Sequence, residues 1–274
     1  MTTKDIYTKY RSYLDLIDLD LLVAHTIGKS REFILTHPEH EINKVQSGNL
    51  EKLIKRRFNH EPIAHILGEK EFYGLPFKVT KDTLIPRPET EMIVEKILKL
   101  KPKNKTILDV GTGSGNIIIS LAKNLKMKNS FYGIDISASA LKIAKQNAKL
   151  NKVEKKIKFI RKSLLSGFKK NELEDSIIIA NLPYLSEKIY NETLPNVKNF
   201  EPKSALYSPK EGLDHYGKLF SQVKKLGIKT EIILEFSPEQ KTSLDKLVKK
   251  IFPKAKLEFQ KDLAKKWRIL EISN

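Results

Sequence analysis

The spacing of apolar residues is helical in the first quarter of the chain. In residues 1–66 apolar side chains recur at helical intervals, most clearly in 13–24 and 50–57. Such spacing places them on one face of a helix. His37-Pro38 and Ser47-Gly48-Asn49 are expected to interrupt these helices. The pattern predicts a small helical bundle.

The pattern becomes strand-like from Phe72 to Val79. Gly74 and Pro76 in this stretch are typical of a bent or edge hairpin. We therefore predict three parts: a helical domain at 1–68, a hairpin linker at 69–84 and a larger domain at 85–274.

Beyond the hairpin, short apolar runs alternate with helical ones. Pro88 suits the first position of a helix that continues through 92–100. Strand–helix alternation predicts a parallel, doubly wound sheet with helices on both faces, a Rossmann-like α/β fold. The predicted strands are Thr106–Val110, Ser130–Ile134, Ile157–Ile160, Ser176–Ala180, Glu231–Phe236 and Trp267–Ile272, and the predicted helices include Ala138–Leu150 and Tyr216–Lys225.

Composition narrows the function classes. The chain has no cysteine, which excludes disulfides, cysteine-ligated zinc clusters and cysteine nucleophiles, and no metal site is predicted. No apolar run approaches the roughly 20 residues of a membrane span. The N-terminus also lacks the apolar core of a signal peptide. A cytoplasmic protein with no membrane partner is expected.

The chain carries a formal net charge of +18. One interpretation is contact with nucleic acid. The other is a lysine bias across the whole surface. We favour this second interpretation because the lysines are scattered along the sequence and because surfaces that bind phosphate usually contain arginine as well. Direct nucleic-acid binding is therefore an alternative that the rest of the sequence does not require.

An apolar strand runs into a glycine turn in Ile107-Leu-Asp-Val-Gly-Thr-Gly-Ser-Gly115. Glycines at the carboxyl end of a parallel strand allow a ligand to approach the backbone closely. Asn116 departs from the dinucleotide fingerprint, and no phosphate-binding Gly-Lys-Ser/Thr follows. Asp109 is expected to receive a ligand ammonium group or to order the loop.

A second strand ends in Asp135, roughly 20 residues after the glycines, where an acid meets ribose hydroxyls. An adenine contact is expected in Arg161–Leu165, which offers Ser163 and Leu164. These features predict a site for the methyl donor S-adenosyl-L-methionine. The predicted cofactor-binding residues are Arg87, Pro88, Asp109, Gly111, Thr112, Gly113, Ser114, Gly115, Asp135, Leu164 and Asn181.

The tetrapeptide Asn181-Leu-Pro-Tyr184 follows the next apolar strand. The Asn181 side-chain oxygen and the Leu182 carbonyl can hold the two N–H groups of a flat nitrogen and stabilise charge developing on it. Pro183 keeps Leu182 extended, and Tyr184 can pack on the acceptor plane. We predict Asn181, Pro183 and Tyr184 as catalytic residues that bind the acceptor together with Leu182. The two motifs indicate an S-adenosylmethionine-dependent N-methyltransferase.

With these motifs the chain resembles the HemK/PrmC family, the protein-(glutamine-N(5)) methyltransferases of peptide-chain release factors. The most specific match is Leu84-Ile-Pro-Arg-Pro-Glu-Thr-Glu91, and further matches cover 62–74, 200–216 and 262–268. The resemblance implies a glutamine side-chain amide in a Gly-Gly-Gln motif as the acceptor and S-adenosyl-L-homocysteine as the product. It also implies that the helical domain grips the release factor. A monomer is expected.

One departure keeps an alternative open. The family usually has proline where this chain has Leu182, and Asn-Leu-Pro-Tyr also resembles ribosomal RNA adenine N(6)-dimethyltransferases. That family lacks the Arg87–Glu91 element and this helical N-terminus, so an N(6)-adenine methyltransferase acting on ribosomal RNA or DNA ranks second. A non-catalytic cofactor-binding module ranks third, because Asn181 and Tyr184 are both present.

Overall fold

The computed structural model describes every residue from Met1 to Asn274. The chain divides into two compact units. The first is Met1–Gly68 with Pro195–Phe200, and the second is Glu69–Leu194 with Glu201–Asn274.

Thirteen α-helices are present, and none of them has both the length and the apolar character required to cross a bilayer. They are α1 (Thr3–Tyr10), α2 (Leu16–Ile27), α3 (Arg31–Thr36), α4 (Lys44–Phe58), α5 (Ile63–Leu67), α6 (Glu91–Leu100), α7 (Asn116–Asn124), α8 (Ala138–Leu150), α9 (Lys170–Leu173), α10 (Glu187–Asn191), α11 (Pro195–Lys198), α12 (Asp214–Leu226) and α13 (Lys241–Ile251). The nine strands are β1 (Glu69–Phe72), β2 (Leu75–Lys78), β3 (Thr106–Val110), β4 (Ser130–Asp135), β5 (Ile157–Arg161), β6 (Ser176–Ala180), β7 (Thr230–Glu235), β8 (Lys256–Lys261) and β9 (Trp267–Ser273).

The first unit is helical, as predicted. Leu19, Leu22 and Val23 of α2 and Leu50 of α4 are almost fully buried in its core. The expected break at Ser47-Gly48-Asn49 is wrong, because α4 runs through it. Asn43 and Gln46 form a capping box that starts this helix early. One interior glycine costs a helix only about 1 kcal/mol.

The second unit is built on a seven-stranded sheet with the order β5-β4-β3-β6-β7-β9-β8. The first five strands are parallel, which confirms the predicted doubly wound arrangement for them. The prediction that the whole sheet is parallel is wrong, because β9 runs antiparallel to both β7 and β8. Only residues 262–266 separate β8 from β9, far fewer than the dozen that a parallel crossover needs. The sequence reading missed β8, whose side chains are partly exposed and form no apolar run.

The predicted hairpin is present and belongs to the second unit, with β1 beginning at Glu69 rather than at Phe72. Asn147 of α8 fixes it, because the amide accepts from Lys78 N at 2.7 Å and donates to Lys78 O at 3.0 Å. Phe72 and Phe77 are buried beside each other in the core beneath. The hairpin therefore leads the chain into the segment 80–90 in a defined position.

The strand order reverses at β3, which has β4 on one side and β6 on the other. Ligands of doubly wound sheets bind beyond the carboxyl ends of the strands at this point. The glycine turn after β3 and the tetrapeptide after β6 are consequently neighbours, although about 70 residues separate them in sequence.

Candidate active site

A cavity of about 500 Å³ lies at the carboxyl ends of β3, β4 and β6, within the second unit. Most of the residues predicted from sequence line it. They are Arg87, Gly111, Thr112, Gly113, Ser114, Asp135, Leu164, Asn181, Leu182 and Pro183. Four predicted residues do not line it: Pro88, Asp109, Gly115 and Tyr184.

The glycine turn is held open by backbone contacts with β4. The N–H groups of Gly111 and Thr112 both donate to Ile134 O, at 2.8 and 2.9 Å. Gly111 has a φ of +75°, and a Cβ there would lie 2.9 Å from Leu182 Cδ2. The absence of a side chain at Gly111 therefore makes room for the Leu182 side chain between the two motifs.

Gly115 lies outside the cavity lining, at the start of α7. It caps α7 with a φ of +80°, and a Cβ there would lie 2.8 Å from Ile119 Cδ1 and 3.2 Å from Ala144 Cβ. This glycine allows α7 and α8 to pack closely. A Cβ at Gly113, in contrast, would meet only Gly111 O, at 4.0 Å, so this position leaves room for a ligand.

Asp135 ends β4 at the wall of the cavity. One carboxylate oxygen accepts from Gly113 N at 2.9 Å and the other from Ser137 N at 2.8 Å. Burial raises the pKa of Asp135, and these backbone hydrogen bonds oppose the rise. The carboxylate thus tethers the glycine turn to β4 and keeps further lone pairs for a ligand hydroxyl.

Asp109 is buried beneath the turn and accepts from Thr112 Oγ1 at 2.6 Å. Burial raises the pKa of Asp109 to about 7. Of the two roles expected for this residue, ordering the loop is the one that fits, since its side chain does not reach the cavity.

The Asn181 amide has a defined orientation. Its Nδ2 donates to Thr90 Oγ1 at 3.2 Å and to Glu235 Oε2 at 3.1 Å. The Thr90 hydroxyl in turn donates its proton to Glu235 Oε2 at 2.6 Å. Both partners of Nδ2 are therefore acceptors, which leaves Asn181 Oδ1 as the free acceptor of this cavity-lining residue.

Glu235 links Asn181 to Tyr184. It is the last residue of β7 and almost fully buried, and its second oxygen accepts from the Tyr184 hydroxyl at 3.1 Å. Burial raises the pKa of Glu235, while hydrogen bonds from Thr90 and Tyr184 and the charge of Arg268 lower it. The Tyr184 side chain is therefore anchored through its hydroxyl to Glu235 and does not form part of the cavity wall.

The tetrapeptide backbone is supported from below. The buried Tyr216 hydroxyl donates to Glu235 O through a short contact and lies 3.3 Å from Leu182 O. Since that hydroxyl has one proton, the Leu182 carbonyl retains acceptor capacity. Gln240 Nε2 also donates to Tyr184 O at 2.8 Å. Leu182 itself is buried, and its side chain packs against the glycine turn.

The segment 85–90 forms another part of the cavity wall. The Arg87 guanidinium forms an ion pair with buried Glu201, which also accepts from Ile85 N at 2.9 Å. Pro88 occupies the first position of a short 3₁₀ turn, Pro88–Thr90. That turn places the Thr90 hydroxyl beside the Asn181 amide, so Pro88 contributes to the site by fixing the backbone of the turn.

Sequence reasoning missed Thr90 and Glu235 as site residues. One feature could have identified Glu235: β3, β4 and β7 all carry an acid at or next to the carboxyl end, as Asp109, Asp135 and Glu235. For Thr90 we find no comparable feature in the sequence.

Family models and known proteins both match this chain. Residues 101–250 match a family model described as a methyltransferase domain, and residues 13–68 match one described as the PrmC N-terminal domain. The release factor glutamine methyltransferase of Dictyoglomus turgidum is 35% identical over 258 residues, covering 93% of this chain and 90% of that protein. The protein of the same name from Mycoplasma mycoides is 34% identical over 271 residues, covering 95% and 93%.

Among solved structures, the hMettl16 catalytic domain in complex with MAT2A 3′UTR hairpin 1 has a TM-score of 0.62 at 14% identity. The match covers 92% of this chain and 90% of that one. At this identity the likeness shows the fold alone.

Proposed function

The chain belongs to the release factor glutamine methyltransferase family, and from this membership we propose its reaction and the roles of its residues. It transfers a methyl group from S-adenosylmethionine to the side-chain amide nitrogen of the glutamine in the Gly-Gly-Gln motif of peptide-chain release factors. The observation that carries the proposal is the orientation of Asn181, whose Nδ2 is engaged by Thr90 and Glu235 so that Oδ1 is left to accept.

The cavity fits the methyl donor. The missing Cβ at Gly113 admits a ligand close to the backbone, and Asp135 offers a carboxylate to hydroxyl groups. We assign Asp135 and the turn Gly111–Ser114 to donor binding, with Leu164 at the adenine end. Bound S-adenosylmethionine supplies a methyl group on a positively charged sulfur.

Asn181 and Leu182 bind and aim the acceptor. An amide nitrogen is a weak nucleophile, because its lone pair is shared with the carbonyl. Asn181 Oδ1 and Leu182 O each accept one of its N–H bonds, which fixes the nitrogen and favours the positive charge that develops on it. The methylated nitrogen then loses a proton to water, so no side chain has to act as a base beforehand.

Glu235 and Thr90 are positioning residues. An asparagine amide can rotate by half a turn at little cost unless its neighbours distinguish oxygen from nitrogen. The rotated form would bring Oδ1 against the Glu235 carboxylate and present Nδ2 to the acceptor N–H groups. Glu235 therefore excludes that form by repulsion, and its other oxygen anchors Tyr184.

A labelling experiment tests the reaction. The protein is incubated with methyl-labelled donor, a release factor, ribosomal RNA and DNA in one mixture, and the labelled macromolecule is identified. We expect label on the release factor, mapped by mass spectrometry to the Gly-Gly-Gln glutamine. A release factor with alanine at that glutamine is the control. Label on RNA or DNA adenine instead would replace this proposal by the N(6)-adenine alternative that Leu182 suggests.

We assign recognition of the release factor to the helical unit, and we place the protein in the cytoplasm as a monomer. Tyr13 and Ile17 of this unit are large apolar residues with 69% and 54% of their surface exposed. Tyr13→Glu with Ile17→Glu should raise KM for the release factor about tenfold or more, as for loss of apolar anchors, and leave donor affinity unchanged. The exposed Leu263→Glu is the matched control. An unchanged KM in the double variant would remove this surface from recognition.

A further inference from the structure

The positive charge of the chain is concentrated in one stretch. Residues 101–170 contain 17 lysines and arginines against three acids, which is +14 of the total +18. Residues 1–68 contain ten basic and nine acidic residues. A lysine bias across the whole surface would not produce this difference, so the description of the lysines as scattered is wrong.

The fold places six of these seventeen cations around β5, the outermost strand on one side of the sheet. Lys142, Lys145 and Lys149 are exposed along one face of α8, three and four residues apart. Lys155, Lys158 and Arg161 are exposed in the adjoining loop and in β5. We call these six residues the β5 face. A groove of about 490 Å³ between α8 and β5 is lined by four of them, Lys142, Lys145, Lys149 and Arg161.

Acidic residues do not neutralise the β5 face. Of the three acids in 101–170, Asp109 is buried and Asp135 lines the active-site cavity, which leaves Glu154 as the exposed one. None of the six cations forms an ion pair. At the opposite edge of the sheet, acids are interleaved, as in Lys249–Asp245, Arg268–Asp262 and Lys96–Glu258.

The composition of the β5 face distinguishes between classes of partner. Protein–protein interfaces are depleted of lysine and are centred on buried aromatic or arginine anchors. No aromatic side chain is exposed on this face. Phe159 is half-buried, and the ring of Tyr132 is covered by Lys158, whose Nζ lies 5.8 Å from the ring centroid. Lysines without aromatic anchors match the phosphate backbone of a nucleic acid, which is bound through charge and largely independently of sequence.

We propose that the β5 face binds the phosphate backbone of structured RNA. The choice of RNA over DNA rests on the proposed function, because an enzyme that modifies translation factors works where ribosomal RNA is abundant. A single arginine among the six cations offers little bidentate reading of bases, so the binding is sequence-tolerant and strongly salt-dependent.

Charge-neutralising variants test the proposal in the full-length protein. The triple variant Lys142→Gln, Lys145→Gln, Lys149→Gln is compared with Lys246→Gln, Lys250→Gln, Lys254→Gln, three exposed lysines on and after α13. Fluorescence anisotropy with a labelled RNA hairpin, and with a DNA hairpin of the same sequence, gives Kd between about 50 and 200 mM salt. Thermal melting verifies that both variants are folded.

We expect the α8 variant to lose about tenfold or more in RNA affinity, and the slope of log affinity against log salt to fall by about 2 to 3, since each phosphate contact contributes roughly 0.9. The α13 variant should remain near wild type. No binding by wild type, equal losses in both variants, or a clear preference for DNA would each overturn the proposal.

Methyl transfer to the release factor, measured in parallel without RNA, separates this inference from the proposed function. The α8 variant should retain the wild-type rate. A loss of methyl transfer with unchanged RNA affinity would mean that the β5 face docks an acidic protein, which overturns the RNA assignment. Wild-type protein that binds RNA but does not methylate release factor would refute the proposed function alone.

Discussion

The donor half and the acceptor half of the cavity are built from contacts of very different sequence separation. On the donor side, Asp109 accepts a hydrogen bond from Thr112, three residues away. Asp135 accepts hydrogen bonds from Ser137 and Gly113, which are 2 and 22 residues away in the sequence. On the acceptor side, Asn181 is oriented by residues 54 and 91 positions away, which are themselves 145 positions apart.

This difference shows that the two halves obtain their precision in different ways. The donor half is a loop that two strand-end acids organise locally. In the acceptor half, Asn181 is oriented by side chains that only the complete sheet brings together. Damage to remote residues should therefore affect acceptor chemistry while donor binding persists, and the following predictions probe that separation.

The largest expected effect is on Asn181. Asn181→Ala removes the side-chain acceptor of the amide N–H, so kcat should fall by about 10²–10³, as for loss of one group that stabilises a developing charge. Donor affinity, measured by calorimetry, should stay close to wild type. Turnover within a few-fold of wild type would show that Asn181 does not hold the acceptor.

The second-largest effect on kcat is expected at Glu235. Glu235→Leu removes one of the two acceptors of Asn181 Nδ2 and the acceptor of the Tyr184 hydroxyl. The value of kcat should therefore fall roughly 10- to 100-fold, the equivalent of one charge-assisted hydrogen bond. Glu235→Gln keeps an acceptor oxygen and should lose only a few-fold. Glu231→Gln on the same strand is the control. Equal losses in the Leu and Gln variants would contradict a role in hydrogen-bonded positioning.

Asp135 tests the donor side. Asp135→Ala should weaken donor binding by about 1–3 kcal/mol, the range for hydrogen bonds to a charged group. This loss of affinity has two sources: the ligand loses its contact with the carboxylate, and Gly113 N loses the hydrogen bond that it donates to Asp135. Unchanged affinity in a folded variant would remove Asp135 from the donor site.

Asp109 should make the stability of the donor half depend on pH. Its pKa is raised to about 7 in the folded protein and is near 4 in an unfolded chain. Folding therefore favours the protonated form, and this contribution is complete below about pH 4 and lost as the pH rises through about 7. The stability of wild type relative to Asp109→Asn, measured by urea unfolding, should decline over this interval.

The smallest effect is expected at Leu182. Leu182→Pro keeps the backbone carbonyl that accepts from the acceptor amide and adds a fixed φ, worth about 0.5–1 kcal/mol. Rates of glutamine methylation should change by no more than a few-fold, measured beside wild type on release factor and on adenine-containing RNA. Complete loss of glutamine transfer in the proline variant would mean that Leu182 marks a different acceptor.

The same contrast explains what could be predicted from the sequence. The strands β3 and β6, the glycine turn and Asp135 follow from apolar runs and short spacings. The sheet confirms the two strands, and the turn and Asp135 lie at the cavity. Thr90, Glu235 and the Arg87–Glu201 pair depend on side chains more than fifty residues apart, and no local pattern records which of them will meet. The antiparallel β8 was missed because a partly exposed strand at the edge has little apolar signature.

The contact between Gly111 and Leu182 has an evolutionary consequence. The leucine side chain occupies the space that a Cβ at position 111 would need, with 2.9 Å between them. The two positions are therefore epistatic: which residue is tolerated at one depends on the residue at the other. A lineage that acquired leucine at position 182 would find its glycine at 111 harder to exchange than a lineage with a smaller side chain there. Introducing alanine at 111 into the wild-type and Leu182→Ala backgrounds would measure that dependence directly.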